Sequence, residues 1–193
     1  MRQILKAIVL TGAIAGVLAP TPAMAEGYVS PWAGINWGSG NNVGAGRTAL
    51  GVNAGAMGAG ILGAEVSFGY SPSFFGSDND FGHNTLIDLM GNLIVGVPIG
   101  GTRGKGVRPF VTAGVGLVRT QIDGDTFTQV TSTNNMLGWS AGAGVMGYFN
   151  QHIGLRTEVR YLRTLVDSNR GSGTDLDPGR LRYWRATAGV TFR

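Results

Sequence analysis

Apolar residues recur at every second position in eight segments of the chain, which is the spacing of a β-strand with one apolar face. The segments span residues 27–38, 47–57, 61–70, 87–97, 111–120, 137–149, 153–161 and 184–192. The clearest stripe consists of Leu62, Ala64, Val66, Phe68 and Tyr70. Turn-rich sequence separates the segments, so the pattern predicts eight strands joined in sequence order.

The residues opposite the apolar stripe distinguish a membrane barrel from a soluble sheet. In a soluble sheet the second face meets water and is generally polar. Here it carries glycine, small polar residues and a few isolated charges, while the apolar face has almost no charge. Lipid outside and a crowded lumen inside explain both faces. We predict an all-β protein, an eight-stranded antiparallel transmembrane up-and-down β-barrel, with a soluble lipocalin-like barrel as the alternative.

The connections between the predicted strands alternate in length. Those after odd-numbered strands are long, whereas those after even-numbered strands are short. Long extracellular loops and short periplasmic turns are typical of outer-membrane barrels, so both termini are expected in the periplasm. Aromatic residues near strand ends are candidates for the interfacial girdles. These residues are Trp37, Tyr70, Phe149, Tyr161, Trp184 and Phe192.

The N-terminal 25 residues are typical of an export signal. Arg2 and Lys6 form a positive region, an apolar run follows, and Ala23-Met24-Ala25 fits a small-x-small cleavage pattern. The apolar run is shorter than the roughly 20 residues that a membrane-spanning helix needs. We therefore expect a signal peptide over 1–25, cleavage after Ala25, and a barrel domain over 26–193.

Composition excludes several classes of protein and bond. Glycine accounts for 34 of the 193 residues but keeps no three-residue period, which excludes collagen. The chain has no cysteine, so no disulfide holds the fold. Its arginines are dispersed rather than clustered, so its basic character does not indicate a nucleic-acid partner. Glycine on the inward face of a narrow barrel would leave room for larger side chains.

Several stretches carry a family resemblance. They are GYVSPWAGINWG at 27–38, LGAEVSFGYSPSFFG at 62–76, NLIVGVPIG at 92–100, RPFVTAGVGL at 108–117 and WRATAGVTF at 184–192. With them the chain resembles the OmpA/OmpX-type small barrels of the outer-membrane β-barrel family. The resemblance implies the outer membrane of a Gram-negative bacterium, assembly by the barrel-assembly machinery, and contact with outer-membrane lipid and lipopolysaccharide. Such chains usually end on an aromatic residue, whereas Arg193 follows Phe192 here.

A set of charged residues falls on the predicted lumen face and forms the candidate site. Its members are Glu65, Asp88, Glu158, Arg160 and Arg185. Counted from the periplasmic strand ends, four lie at similar height and Asp88 lies higher, while Arg108 and Arg156 lie lower. Because buried charges need partners, we predict a mutually compensating cluster in which Glu158 and Arg185 pair. A narrow barrel is nearly filled by its own side chains, so a plug is favoured over a gate or polar conduit.

Candidate catalytic and metal-binding residues are few. The two histidines, His83 and His152, fall in connections and have no serine beside them on a strand, as a nucleophile–base pair would need. Acids recur in the long loops without the complete spacing of a calcium loop, so no metal and no cofactor are expected. These acids are Asp78, Asp80, Asp123, Asp125, Asp175 and Asp177.

The sequence thus favours a non-enzymatic outer-membrane protein with a structural or surface-interaction role and a lumen plugged by charged residues. A narrow channel for small solutes or ions is the first alternative, and a lipid-A-modifying barrel enzyme is the second. Arg170, Arg180 and Arg182 near the outer rim are candidates for contact with lipopolysaccharide phosphates. Nothing in the pattern indicates what the extracellular loops bind, because a fold alone does not specify function.

Overall fold

A computed structural model describes residues 25–38, 46–74, 84–100, 104–123, 131–167 and 181–193. The strands are β1 (Ala25–Trp37), β2 (Arg47–Gly58), β3 (Leu62–Pro72), β4 (Asn84–Gly96), β5 (Gly106–Asp123), β6 (Thr131–Tyr148), β7 (Ile153–Asp167) and β8 (Arg182–Phe192). Within these ranges no helix is long and apolar enough to cross a membrane.

The strands close into a barrel. Each pairs antiparallel with the next in sequence, and β8 returns to pair with β1 from Val29↔Phe192 to Trp37↔Trp184. The predicted eight-stranded antiparallel up-and-down barrel is therefore confirmed. Closure gives every strand two neighbours, so that no row of backbone donors and acceptors is left at a sheet edge.

Strands β5 and β6 extend beyond their predicted ends. Their ladder runs from Gly106↔Tyr148 to Asp123↔Thr131, so part of the expected long loop is strand. The alternation of apolar and polar residues ends before these extra strand residues, although the backbone pairing continues. Threonine and isoleucine favour extended backbone, which is consistent with strand pairing without an apolar stripe.

The two faces follow the predicted alternation. On β3, Val66 and Phe68 are 44% and 41% exposed, while Glu65 and Ser67, which alternate with them, are each 2% exposed. The outward positions of the other strands are likewise rich in valine, leucine, isoleucine and alanine. The apolar stripe therefore faces outward, as lipid requires.

Large apolar side chains also fill the lumen, which the sequence pattern did not indicate. One cluster lies at the end of the barrel with the long connections and consists of Phe74, Leu86, Met90, Val118, Leu162, Leu181 and Tyr183. A second lies at the end with the short turns and consists of Tyr28, Met57, Ile94, Phe110, Met146 and Tyr148. We call these the extracellular and periplasmic apolar clusters, because short turns are typical of the periplasmic side.

Candidate functional site: the charged layer of the lumen

Six charged side chains lie inside the barrel and adjoin the two apolar clusters. They are Glu65, Asp88, Arg156, Glu158, Arg160 and Arg185, and we call them the charged layer. Each occupies an inward position of its strand and is at most 4% exposed. Three acids and three arginines give the layer a formal charge of zero, as a buried site requires.

Four members of the layer form a closed set of ion pairs. Arg156 donates to Glu65 Oε2 and, over 2.7 Å, to Glu158 Oε2. Arg160 donates from Nε to Glu158 Oε1 over 2.8 Å and from Nη2 to Glu65 Oε1 over 3.2 Å. Each arginine thus bridges both acids, and each acid accepts from both arginines. Charge-assisted hydrogen bonds of this kind are stronger than neutral ones.

Two further strands, β1 and β5, supply additional donors to the two acids of this set. Tyr28 Oη on β1 donates to Glu65 Oε2 over 2.7 Å, and Thr112 Oγ1 on β5 donates to Glu158 Oε1 over 3.1 Å. A buried carboxylate can accept several hydrogen bonds, and these donors occupy positions that the arginines leave. The set therefore joins four strands across the lumen.

The remaining two members form a separate pair. Arg185 donates from Nη1 and Nη2 to the two oxygens of Asp88, over 3.0 and 2.6 Å. Its Nε donates to Asn36 Oδ1 over 2.8 Å, and Asn36 in turn donates to Ser71 Oγ over 2.7 Å. The guanidinium also lies 5.2 Å from the ring centre of Trp32. This two-oxygen contact is the geometry in which arginine binds carboxylates most specifically.

The structure corrects the predicted pairing. Arg185 pairs with Asp88, which was expected to lie higher, and the predicted Glu158–Arg185 ion pair is wrong. Arg156 was placed below the cluster, but it links Glu65 to Glu158. Counting residues from strand ends ignores the stagger of tilted strands and the reach of the arginine side chain. Equal counts on distant strands therefore do not mean equal height in the lumen.

Glycines on the inward face make space for the charged layer. A Cβ atom on Gly69 would lie 2.5 Å from both Asp88 Oδ2 and Arg185 Nη1. A Cβ atom on Gly142 would lie 2.9 Å from Glu158 Oε1. Both distances are too short for real atoms, so even alanine would displace the ion pairs. The abundance of glycine in these strands therefore has a packing cause at these positions.

Little open space accompanies the layer. A cavity of about 10 Å³ is lined by Trp32, Asn53, Ser67, Glu158, Arg160, Arg185 and Thr187. That volume is about enough for one water molecule, and its lining is polar enough to hold one. On the periplasmic side, the Arg156 guanidinium stacks 4.6 Å from the ring centre of Phe110. The charged layer is therefore closely packed against the periplasmic apolar cluster.

Further charges meet at the periplasmic end of the barrel. Glu26 Oε2 accepts from Arg193 Nη1 over 2.7 Å and lies 3.5 Å from Arg108 Nη2. The Arg193 guanidinium lies 3.8 Å from the ring centre of Tyr148. Arg108 was expected below the cluster, and the structure places it there, where it shares Glu26 with Arg193. The last residue of the sequence therefore packs into the barrel opening.

Most of the other candidate residues lie outside the described part of the chain. These are His83, Asp78, Asp80, Asp125, Arg170, Asp175, Asp177 and Arg180. His152 is exposed in the turn between β6 and β7, where its backbone N–H donates to Asn150 Oδ1 over 2.8 Å. Asp123 ends β5, and Arg182 is the exposed first residue of β8. Among the described residues no group of histidine and acidic side chains is arranged to hold a metal ion.

Comparison with solved structures shows the same fold. Neisserial surface protein A has a TM-score of 0.64 at 16% identity, with 87% of this chain and 97% of that one covered. The N-terminal β-barrel domain of Pseudomonas aeruginosa OprF has a TM-score of 0.51 at 18% identity, with 88% and 96% covered. The outer membrane enzyme PagL has a TM-score of 0.45 at 13% identity, with 86% of this chain and 99% of that one covered.

Sequence comparison identifies the family. No curated protein sequence matches the chain. The family described as "Outer membrane protein beta-barrel domain" matches residues 9–192, which is nearly the whole chain. The fold and the outward apolar face of this chain agree with this match, and the chain belongs to the outer-membrane protein β-barrel family.

Proposed function

We propose that this outer-membrane barrel has a structural or surface-interaction role and that its lumen is plugged. The observation that carries the proposal is that large apolar side chains fill the lumen in two clusters, and the charged layer packs against one at Phe110 and against the other at Tyr183. A water-filled channel needs a continuous polar path, whereas apolar constrictions exclude water and ions. Methionine, tyrosine and phenylalanine side chains on both sides of the charges support a plug.

The energetics of the charged layer favour a closed state. Moving one arginine aside would leave one buried negative charge uncompensated, and removal of one partner from a buried pair costs roughly 3–5 kcal/mol. The set of Glu65, Glu158, Arg156 and Arg160 shares each charge between two partners, so no single side chain swings away without loss. A gate with these contacts would open rarely.

Export and assembly form part of the proposal. The signal peptide over 1–25, with cleavage after Ala25, would deliver the chain to the periplasm, and the barrel-assembly machinery would insert it. Outer-membrane lipid and lipopolysaccharide are its proposed partners there. The Arg193 side chain packs against Tyr148 and Glu26, so the residue that follows the terminal aromatic does not project from the barrel.

An enzymatic role receives no support from the described residues. Nucleophilic hydrolysis needs a base beside its nucleophile, held on a rigid element. His152 lies exposed in a short turn and makes its hydrogen bonds through the backbone. Mass spectrometry of lipid A from cells with and without the gene tests this point. Unchanged acylation is expected, and loss or gain of an acyl chain would establish the enzyme instead.

Ion conduction through the purified barrel tests the plug. The refolded protein is added to planar lipid bilayers, and current is recorded for the wild type, Arg160→Met and the control Ser67→Ala. We expect no stable conductance from the wild type or the control. Arg160→Met removes one buried cation, so we expect a lower folded fraction, measured in parallel, and still no stable conductance from the molecules that remain folded.

Steady conductance from the folded wild type would contradict the plugged lumen and establish a narrow channel for small solutes or ions instead. A change in that conductance on Arg160→Met, with stability unchanged, would further identify the charged layer as its gate.

A further inference from the structure

The ladder between β1 and β8 has a gap. The two strands pair at Val29↔Phe192 and again from Trp32↔Gly189 onward, and the two positions between these pairs make no ladder pairing. Every other ladder between the described strands is continuous, apart from the register shift between β6 and β7. We call the contact of β1 with β8 the seam, because it joins the first strand to the last. The closed wall is therefore incomplete at its seam.

A proline at the gap explains the missing pairing. The Arg193 N–H donates to the His152 carbonyl over 2.8 Å, so the odd-numbered residues of β8 direct their backbone groups toward β7. Backbone groups alternate between the two neighbours of a strand, and those of Val190 therefore point toward β1. The register places Pro31 opposite Val190. Proline has no N–H, so the Val190 carbonyl receives no ladder bond from β1.

A side-chain hydrogen bond joins the two strands beside the gap, on the lumen side. Ser30 Oγ and Thr191 Oγ1 lie 2.8 Å apart, and both residues are completely buried. The same register places these residues opposite each other, one position from Pro31. The hydroxyl pair thus ties β1 to β8 where backbone pairing is missing.

Two further lumen contacts cross the seam, one on each side of the gap. Toward the long connections, Arg185 Nε donates to Asn36 Oδ1 over 2.8 Å. Toward the short turns, Arg193 Nη1 donates to Glu26 Oε2 over 2.7 Å. Together with the buried hydroxyl pair, we call these contacts the seam clasp. Because Arg185 belongs to the charged layer, the contents of the lumen contribute to closure of the wall.

We propose that the seam is the part of the wall that opens first, at Pro31, and that the seam clasp holds it closed. A backbone group without a partner is costly in hydrocarbon, and Pro31 lies on the exposed, lipid-facing side of β1. Local opening occurs where the fewest stabilising contacts must break. Proline is normally confined to edge strands, and β1 and β8 are the edges of the sheet until the barrel closes. Seam opening concerns the wall alone, so it does not depend on whether the lumen conducts.

Amide hydrogen exchange tests the seam when it is measured residue by residue, by nuclear magnetic resonance, on the folded barrel in detergent micelles. The β1-facing amides of Ala188 and Val190 are compared with the β7-facing amides of Thr187 and Gly189. Because the two sets alternate along β8, they lie at similar depth in the micelle. In the wild type we expect the β1-facing amides to exchange about tenfold faster.

Two variants change the seam in opposite directions. Pro31→Ala supplies the missing N–H and should slow exchange of the β1-facing amides about fivefold, whereas Ser30→Ala removes the hydroxyl bond and should accelerate it about fivefold. Ser140→Ala is the control, because it removes a buried hydroxyl bond of 3.1 Å to Asn92, away from the seam. The control should leave all four exchange rates unchanged. Heat-modified gel mobility establishes that each barrel is folded before exchange is compared.

Equal exchange of the two sets of amides in the wild type would overturn the proposal, as would an unchanged difference between them in Pro31→Ala. An equal acceleration in Ser30→Ala and Ser140→Ala would mean that any lost hydroxyl bond loosens the barrel, and the seam clasp would then be wrong. Conductance through the wild type in planar bilayers would contradict the plug without altering these exchange rates.

Discussion

The Asp88–Arg185 pair offers the sharpest test of the charged layer. Both side chains are at most 3% exposed, and two hydrogen bonds of 2.6 and 3.0 Å join them. Asp88→Asn removes the charge but nearly keeps the shape, and Arg185→Met removes the guanidinium. Each single change leaves the other group buried without its counter-charge. We expect each to lower the free energy of unfolding by roughly 3–5 kcal/mol.

The double variant measures the coupling between the two side chains. With both charges removed, neither is left uncompensated, so the loss should fall short of the sum of the singles by about 1–3 kcal/mol. The assay follows the heat-modified gel mobility of the folded barrel across urea concentrations for the wild type, both singles and the double.

A second cycle pairs Arg185→Met with Glu158→Gln as the matched control. Glu158 bonds to Arg156 and Arg160 instead, so the coupling in this cycle should be clearly smaller. Strictly additive losses at Asp88 and Arg185, or a larger coupling to Glu158, would refute the pairing described here.

Three further predictions concern the wall, the lumen and the topology. Val66→Arg places a charge on the lipid face and should destabilise the barrel by roughly 2–4 kcal/mol if it lies near the midplane, whereas Ser67→Ala, which is buried, should change stability little. Equal tolerance of both changes in urea titrations would show that the assigned faces are wrong. Gly69→Ala should cost roughly 1–3 kcal/mol in the same titration, and an unchanged midpoint would contradict the close contact. Trypsin applied to intact cells should cut at Arg180 but spare Lys105 in its short turn, and mass spectrometry identifies the fragments. Fragments that end at Lys105 would show that the proposed orientation in the membrane is wrong.

The wall of the barrel was predictable from sequence because its physics is local. A period of two fixes which side chains share a face, as Val66 and Phe68 against Glu65 and Ser67 illustrate. The turn-rich sequence between the segments predicted strands joined in sequence order for the same reason. The extra pairing of β5 and β6 near Asp123 and Thr131 was not predictable from the apolar pattern, because backbone hydrogen bonds there need no apolar stripe.

The contents of the lumen were harder to predict, since they depend on contacts across the barrel. The inward positions of the charged residues were foreseen, but the partner of Arg185 was not. The inward packing of large residues such as Met57, Phe110 and Tyr183 was not predicted, although each lies at an inward position of its strand. The sequence signal for them is a tyrosine, phenylalanine or methionine at the same alternate positions as the glycines. Such side chains fill the space that facing glycines leave.

Access of water-soluble reagents to the lumen tests the plug most directly. The chain has no cysteine, so Ser67→Cys introduces a single thiol beside the small cavity of the charged layer, and Lys105→Cys provides an exposed control in the β4–β5 turn. A charged methanethiosulfonate is applied to the folded barrels, and modification is followed by mass spectrometry. The account predicts that the thiol at 67 reacts at least about a hundredfold more slowly than the thiol at 105 until urea unfolds the protein. Reaction of both thiols at similar rates in the folded barrel would contradict a plugged lumen.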